Sequence, residues 1–256
     1  MIMNTGGKNT GEKPTDRRKQ AIFDVITDTK ANLVLLQEFI WTGIRSKGWK
    51  DFIWPKNLEY VGHENASIIF DINEVIIEDI LQSVLDGVLQ ELVRMGRIEQ
   101  GFAPIPRMCV RKVKTKGVPK VDFLCISWHG RHNGVKYDDL KKEFKYLMEY
   151  VIKLSQKEDI PVLIAGDFNV QLKDVKEHVP SSLVLYQYSP TKRRKEQTVI
   201  DFYICSDSFI LKDLEALELK SKTRVDDVHS LFDHDPVRAL LDTKTSTSKP
   251  KPKIKK

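Results

Sequence analysis

The chain alternates between short unbroken apolar runs and longer segments in which apolar residues return every three or four positions. Residues 33–36, 66–70 and 161–165 are runs of strand length, the pattern of strands covered on both faces. Residues 107–114 and 121–128 read as the arms of a hairpin with Gly117, Val118 and Pro119 in its turn. Residues 199–205 and 236–241 add two more strands. Helical spacing marks three segments. Residues 17–29 gather Ala21, Ile22, Val25 and Ile26 on one side, with Thr15 or Asp16 as cap. Residues 74–97 carry the strongest periodicity, from Ile77 and Ile80 to Leu92 and Val93, and predict one long helix packed on its own domain. Residues 138–156 predict another, with Leu140, Phe144, Leu147, Met148, Val151 and Leu154 as its stripe. Strands and helices alternate too irregularly for a simple Rossmann sheet or a barrel.

At 256 residues, 41% of them apolar, the chain can bury one large core. No apolar run reaches the roughly 18 residues of a membrane span. Residues 1–20 are polar and lack the apolar centre of a secretory signal. Cys109, Cys125 and Cys205 stand inside strand-like runs, an odd number without metal-ligand spacing. Reduced, buried thiols are expected, in an intracellular protein of the cytoplasm or nucleus. The net charge of +6 equals the six lysines of residues 243–256, which contain no acid. That tail is expected to be disordered beside a formally neutral domain of residues 1–242, and serves either as a polyanion contact or as a solvated end.

Five polar signatures stand where the apolar runs end: Gln37-Glu38, Ser127-Trp128-His129-Gly130, Gly166-Asp167-Phe168-Asn169, Ile200-Asp201-Phe202 and Asp233-His234-Asp235-Pro236. Each puts an acid, an amide or an imidazole where a strand leaves the core, which is where α/β sheets build sites. An Asp after a strand is usually a turn or a cap. Five such signatures in one chain are hard to obtain that way.

In this order they resemble the endonuclease/exonuclease/phosphatase superfamily, the metal-dependent phosphoesterases related to deoxyribonuclease. The resemblance runs from Met3 to about Leu241, and the Gly-Asp-Phe-Asn and Asp-His-Asp-Pro elements are its specific parts. It implies a four-layer α/β sandwich, two mostly antiparallel sheets face to face between helices, with residues 74–97 as a helical insertion. It implies Glu38, Asn4 and Asp233 around a magnesium ion, or manganese, a hard cation suited to carboxylates. Asp167 would position or deprotonate the attacking water, and Asn169 would hold the phosphate. His234, oriented by Asp201, would donate to the phosphate, and His129 would contact it. The chain departs from the family pattern at Gly6, where a second acid is frequent. It departs again at Phe232, where serine is common, and at Val199, where a basic residue is common.

The family's lipid 5-phosphatases carry a Trp two residues before this Gly-Asp motif and an Arg two residues after its Asn; here Ile164 and Gln171 stand at those positions. The motif resembles nuclease members more. Lys192, Arg193, Arg194 and Lys195, and a second group of Arg107, Arg111, Lys112, Lys114 and Lys116, fit either a polyanion contact or a solvated face. Trp41, Trp49 and Trp54 follow Glu38 and fit base stacking or, for at least two of them, core packing. A nuclease with nucleic acid as substrate, no membrane and no obligate protein partner is the leading expectation. The alternatives are a phosphatase or phosphodiesterase acting on a non-nucleic phosphoester, and an inactive binding module.

Overall fold

The computed structural model describes residues 1–6, 15–41, 43–132, 134–188, 199–217, 232 and 234–244. Asp233, the group Lys192 to Lys195 and the tail beyond Lys244 lie outside the described residues. Among the described residues twelve strands form two sheets. The first sheet holds β1 (Ile2–Asn4), β2 (Leu33–Gln37), β3 (Leu58–Gly62), β4 (Ala66–Asp71), β11 (Phe209–Ala216) and β12 (Val237–Thr243). Its order is β11-β12-β1-β2-β4-β3. The second holds β5 (Val75–Glu78), β6 (Met108–Thr115), β7 (Asp122–His129), β8 (Val162–Asp167), β9 (Leu183–Tyr186) and β10 (Asp201–Ser206), in the order β5-β6-β7-β8-β10-β9. One neighbouring pair in each sheet is parallel, β1 with β2 and β7 with β8; the other pairs are antiparallel. Helices α1 (Thr15–Thr29), α2 (Gln82–Arg94), α3 (Tyr137–Glu158) and α4 (Leu172–Val175) complete the sandwich.

The unbroken apolar runs have a physical reason in this layering. Successive residues of a strand face opposite sides. Ile2, Leu35 and Ile68 belong to the large core that the two sheets share. Met3, Val34, Leu36 and Ile69 face the other way and pack with Ile22 and Ile26 of α1. Both faces are covered, so no polar alternation is left to see. The cysteines are free and buried, as expected. No helix among the described residues is long and apolar enough to cross a membrane.

Residues 74–97 are not one helix. Val75 to Glu78 form a strand whose Val75 and Ile77 lie opposite Thr115 and Val113 of β6. Val75, Ile76 and Ile77 are β-branched and fit a pleated surface better than a helix. The chain then breaks at Leu81, which is extended at φ −59, ψ 133, before α2 starts at Gln82. Gly96, at φ +68, ends the helix, with its N–H and that of Arg97 returned to Val93 and Leu92. Strands β3 and β11 carry polar residues at irregular positions. In β11 the register also shifts between Lys212 and Glu215, which hides the period from a sequence reading.

The stretch after Glu38 folds against α1 as an aromatic cluster. Trp49 and Trp54 are 1% and 3% exposed. Trp49 stacks on Phe39 at 5.7 Å and meets Trp41, Phe52 and Trp54 edge-on. The Arg45 guanidinium donates to the carbonyls of Trp54, Pro55, Lys56 and Leu58 and so fixes the loop beneath them. Trp49→Ala should cost about 3–5 kcal/mol, as buried aromatic truncations do. The measurement is the urea midpoint, and a midpoint equal to wild type would mean that the ring does not pack in the core.

Candidate active site

Strand register builds the site. In the second sheet His129 lies opposite Asp167 across β7 and β8, and Asp167 lies opposite Asp201 across β8 and β10. Three site residues are therefore lateral neighbours on consecutive strands. In the first sheet Asn4 lies opposite Gln37 across β1 and β2, and Glu38 follows at once. The two sets of strand ends face each other, and a direct bond joins them: Asn4 Nδ2 donates to Asp167 Oδ2 at 3.0 Å. Beneath it Gln37 Nε2 donates to Ser127 Oγ at 2.9 Å, and Ser127 Oγ donates to the Leu36 carbonyl at 2.9 Å. Gln37 and Ser127 are fully buried polar residues that tie one sheet to the other below the site. As a bridge this pair was not legible in the sequence, although both residues belong to the signatures.

Each side chain has its own anchor. Glu38 sits at φ +55, a region costly for a residue with a Cβ. It is held there by its N–H to Asn65 O at 3.3 Å and by Thr5 Oγ1, which donates to its carbonyl at 2.9 Å. Its carboxylate meets Asn4 Nδ2 at 3.4 Å and His129 Nε2 at 3.3 Å. The histidine approach is off-axis, for both ring nitrogens of His129 lack a well-directed partner. His129 and then Asn4 hold Glu38 down to about 2 against the opposing effect of burial. The His129 ring also lies over that of exposed His132, with centroids 5.8 Å apart.

Asp167 is 1% exposed. Its Oδ1 accepts the Asn169 N–H at 2.9 Å, and its Oδ2, already bonded to Asn4, is 3.5 Å from His234 Nε2. Burial pushes its pKa up, with His234 opposing and Asp201 adding to the rise. His234 Nδ1 lies 2.7 Å from Asp201 Oδ2. Asn169, at φ +54, donates its side-chain amide to Gly130 O at 3.0 Å. Gly130 donates its N–H to Asp167 O at 2.7 Å, and a Cβ there would lie 2.4 Å from Phe168 O. Only glycine allows that approach. Phe168 and Phe202, the aromatic residues of two signatures, stack at 4.1 Å under the carboxylates.

Seven of the eight site residues named from the sequence thus meet at one end of the sandwich, and Asp233 lies outside the described residues. The basic stretch behaves otherwise. Arg111 pairs with Asp79 at 3.0 Å, Lys114 with Glu78 at 2.6 Å and Lys112 with Glu158. Lys116 donates to Ile72 O, and Arg107 turns inward to the His129 and Gly130 carbonyls. Intramolecular partners therefore occupy the charge of this group, Arg107 to Lys116.

The donor set fits a hard divalent cation. Glu38, Asp167 and Asp201 converge, two of them fully buried, and carboxylates so placed need positive charge nearby. Asp201 Oδ1 is buried and makes no hydrogen bond among the described residues. Asp167, Asp201 and His234 offer ligand atoms within 4.8 Å of one another. That trio differs from the Asn4, Glu38 and Asp233 implied by the resemblance. In this structure Asn4 turns its amide N–H groups to two carboxylates and its Oδ1 to the Gly6 N–H at 2.8 Å.

In the metal-free protein the depressed Glu38 pKa has a measurable sign. A carboxylate that titrates lower when folded stabilises the fold above its unfolded value, near 4.5, and loses that contribution as pH falls towards about 2. The urea midpoints of wild type and Glu38→Gln should converge as pH drops through that window. Parallel curves from pH 6 to 2 would show that the His129 and Asn4 contacts do not act on the ionised carboxylate.

No protein-family model and no curated protein matches the chain. Its structure is similar to that of an endonuclease/exonuclease/phosphatase from Bacteroides vulgatus, at 15% identity and a TM-score of 0.64, over 95% of this chain and 97% of that one. It is similar to D. rerio TDP2 complexed with a single-strand DNA product, at 13% identity and a TM-score of 0.63, over 94% and 97%. It is also similar to a Bacteroides thetaiotaomicron mannosyl-6-phosphatase, at 14% identity and a TM-score of 0.59, over 94% and 98%. At such identities the likeness is one of fold, and the chain adopts the endonuclease/exonuclease/phosphatase fold.

Proposed function

We propose that the chain is a divalent-metal-dependent hydrolase of phosphodiesters, acting as a nuclease on nucleic acid. The observation that carries this is the convergence of Glu38, Asn4, Asp167, Asn169 and the Asp201–His234 pair at one end of the sandwich. Glu38, with Asn4 beside it and Asp233 as a further carboxylate, would hold a magnesium or manganese ion. Such an ion offsets phosphate charge and makes bound water more acidic. The chain's own groups supply the rest. Asp167 accepts the proton of the attacking water, a role favoured by a carboxylate whose pKa burial raises. Asn169 has a second amide hydrogen beyond the one given to Gly130 and directs it at a phosphate oxygen. Asp201 accepts a hydrogen bond from Nδ1–H of His234 and fixes the ring, so that Nε2 donates to the phosphate as charge builds. His129 flanks Glu38 and contacts the same phosphate.

One observation favours a second reading. The cations of β6 are engaged within the molecule, which suits a small phosphoester better than a long polyanion. A panel of supercoiled plasmid, single-stranded DNA, RNA, bis-p-nitrophenyl phosphate and a sugar phosphate, with Mg²⁺, Mn²⁺ or EDTA, separates the two. The nuclease reading expects metal-dependent cleavage of a nucleic acid. Cleavage of the sugar phosphate alone would replace that reading by the second, and no hydrolysis of any substrate would leave an inactive binding module. Glu38→Ala and Asp167→Ala should each lower kcat by about 10²–10³-fold while the protein stays folded. Either variant at wild-type turnover would remove that residue from the chemistry. Asp201→Asn keeps the shape but prefers the wrong histidine tautomer. It should therefore lower kcat with KM little changed, and an unaltered kcat would make Asp201 a structural group.

A further inference from the structure

Arg107 closes a short 3₁₀ turn, Ile105–Arg107, just ahead of β6. It differs from its basic neighbours in what it holds. Arg111, Lys112 and Lys114 pair with carboxylates. Among the described residues the partners of Arg107 are two consecutive carbonyls instead. Its Nε donates to His129 O at 2.8 Å, and its Nη2 donates to Gly130 O. A planar guanidinium can grip two such oxygens at once, where an ammonium offers a single point charge. Burial disfavours the cation, and the carboxylates of Glu143, Asp167 and Glu38 offset part of that cost.

The Gly130 carbonyl is shared. It accepts from Arg107 and from Asn169 Nδ2 at 3.0 Å, so both of its lone pairs are used. The same glycine donates its N–H to Asp167 O at 2.7 Å. Asn169 stands at φ +54, where the backbone alone gives it no deep well. The direction of its side chain rests on the Gly130 carbonyl and on the bond from its own N–H to Asp167 Oδ1.

We propose that Arg107 is a positioning residue: its guanidinium fixes the His129–Gly130 carbonyls and, through the shared Gly130 oxygen, aims the amide of Asn169. For its effect on rate this rests on the phosphoester hydrolysis proposed above; the clip itself does not. Arg107 touches no reacting atom in this role. Its loss should leave substrate binding nearly intact and misplace a group that must be accurately set for the transition state. A displacement of about 1 Å at such a group can cost about 10²-fold in rate. A phosphate-binding arginine would instead raise KM, and an arginine of purely structural value would lower stability and move nothing at Asn169.

The test compares wild type, Arg107→Lys and Arg107→Ala, with Arg97→Ala as control. Arg97 pairs with Glu149 at the surface between α2 and α3. Nitrogen-15 NMR of the substrate-free, metal-free proteins should show the Asn169 side-chain amide and the Gly130 N–H shifted in both Arg107 variants and unmoved in Arg97→Ala. Steady-state kinetics should show kcat down about 10²-fold with KM within a few-fold of wild type. Added guanidinium should restore part of the turnover of Arg107→Ala and none to Arg107→Lys, whose longer stem fills the site. Arg107→Lys guards against an alanine variant that fails to fold. An unmoved Asn169 amide in Arg107→Lys, or a raised KM at constant kcat, would overturn the proposal. A wild type that hydrolyses nothing would overturn the hydrolase reading instead, and the NMR comparison would still decide whether the clip exists.

Discussion

Asp167 carries a carboxylate out of water at the seam between two sheets, and its need for partners organises everything around it. An isolated buried carboxylate would cost several kcal/mol. Here it receives Asn4 from the opposite sheet, the Asn169 N–H from its own loop and His234 from the strand-entry segment beyond. Those bonds come from three separate stretches of chain, so the carboxylate is satisfied only when the two sheets are docked in register. The Gln37–Ser127 bridge below repeats the arrangement with neutral groups. Polar contacts between the two faces of a sandwich are costly unless complete, so these bonds specify the site end of the molecule while apolar packing supplies most of the stabilisation.

That seam also separates what was legible in the sequence from what was not. Strands β2, β4 and β8 could be read because both of their faces are covered, and the polar residues after them stood out against apolar runs. The convergence of Glu38, Asp167 and His234 was legible only through the order of signatures that resemble a known family, since no local pattern encodes contact across 163 positions, the separation of Asn4 and Asp167. Periodicity failed at residues 75–78. A strand and a helix in succession there share enough apolar spacing to read as one helix, and the β-branched run at Val75, Ile76 and Ile77 was the overlooked signal. Arg107 was misplaced for a related reason. A strand pattern puts it on a face with Arg111, yet it belongs to a 3₁₀ turn before the strand begins, so the alternation does not reach it.

Charge deceives in the same way when it is counted without partners. The five cations at 107–116 look like a polyanion track in the sequence, and in the fold they have acids or carbonyls beside them. Exposed pairs of this kind are worth little to stability. Their consequence is for binding, since a lysine already facing a carboxylate releases fewer counterions when it meets a phosphate. These five cations therefore add less to a polyanion contact than their number suggests.

The two carboxylates nearest the Asn4 amide are driven in opposite directions by their surroundings. Glu38 is more exposed, borders His129 and is held down to about 2. Asp167, one hydrogen bond away through the same amide, is fully buried beside Asp201 and is pushed up. Environments that split a pair of like groups also divide their work. On the function proposed here, the one kept ionised would hold the cation, and the one made more basic would take a proton from water. Asn4 is what permits both in so small a space. Its amide donates to each carboxylate and keeps the two negative charges from meeting directly, while its oxygen is fixed by Gly6. A Cβ at Gly6 would lie 2.0 Å from Glu38 Oε2. The absence of a side chain there is thus a condition of the Glu38 conformation, and an acid at that position would require the glutamate to turn away from the seam.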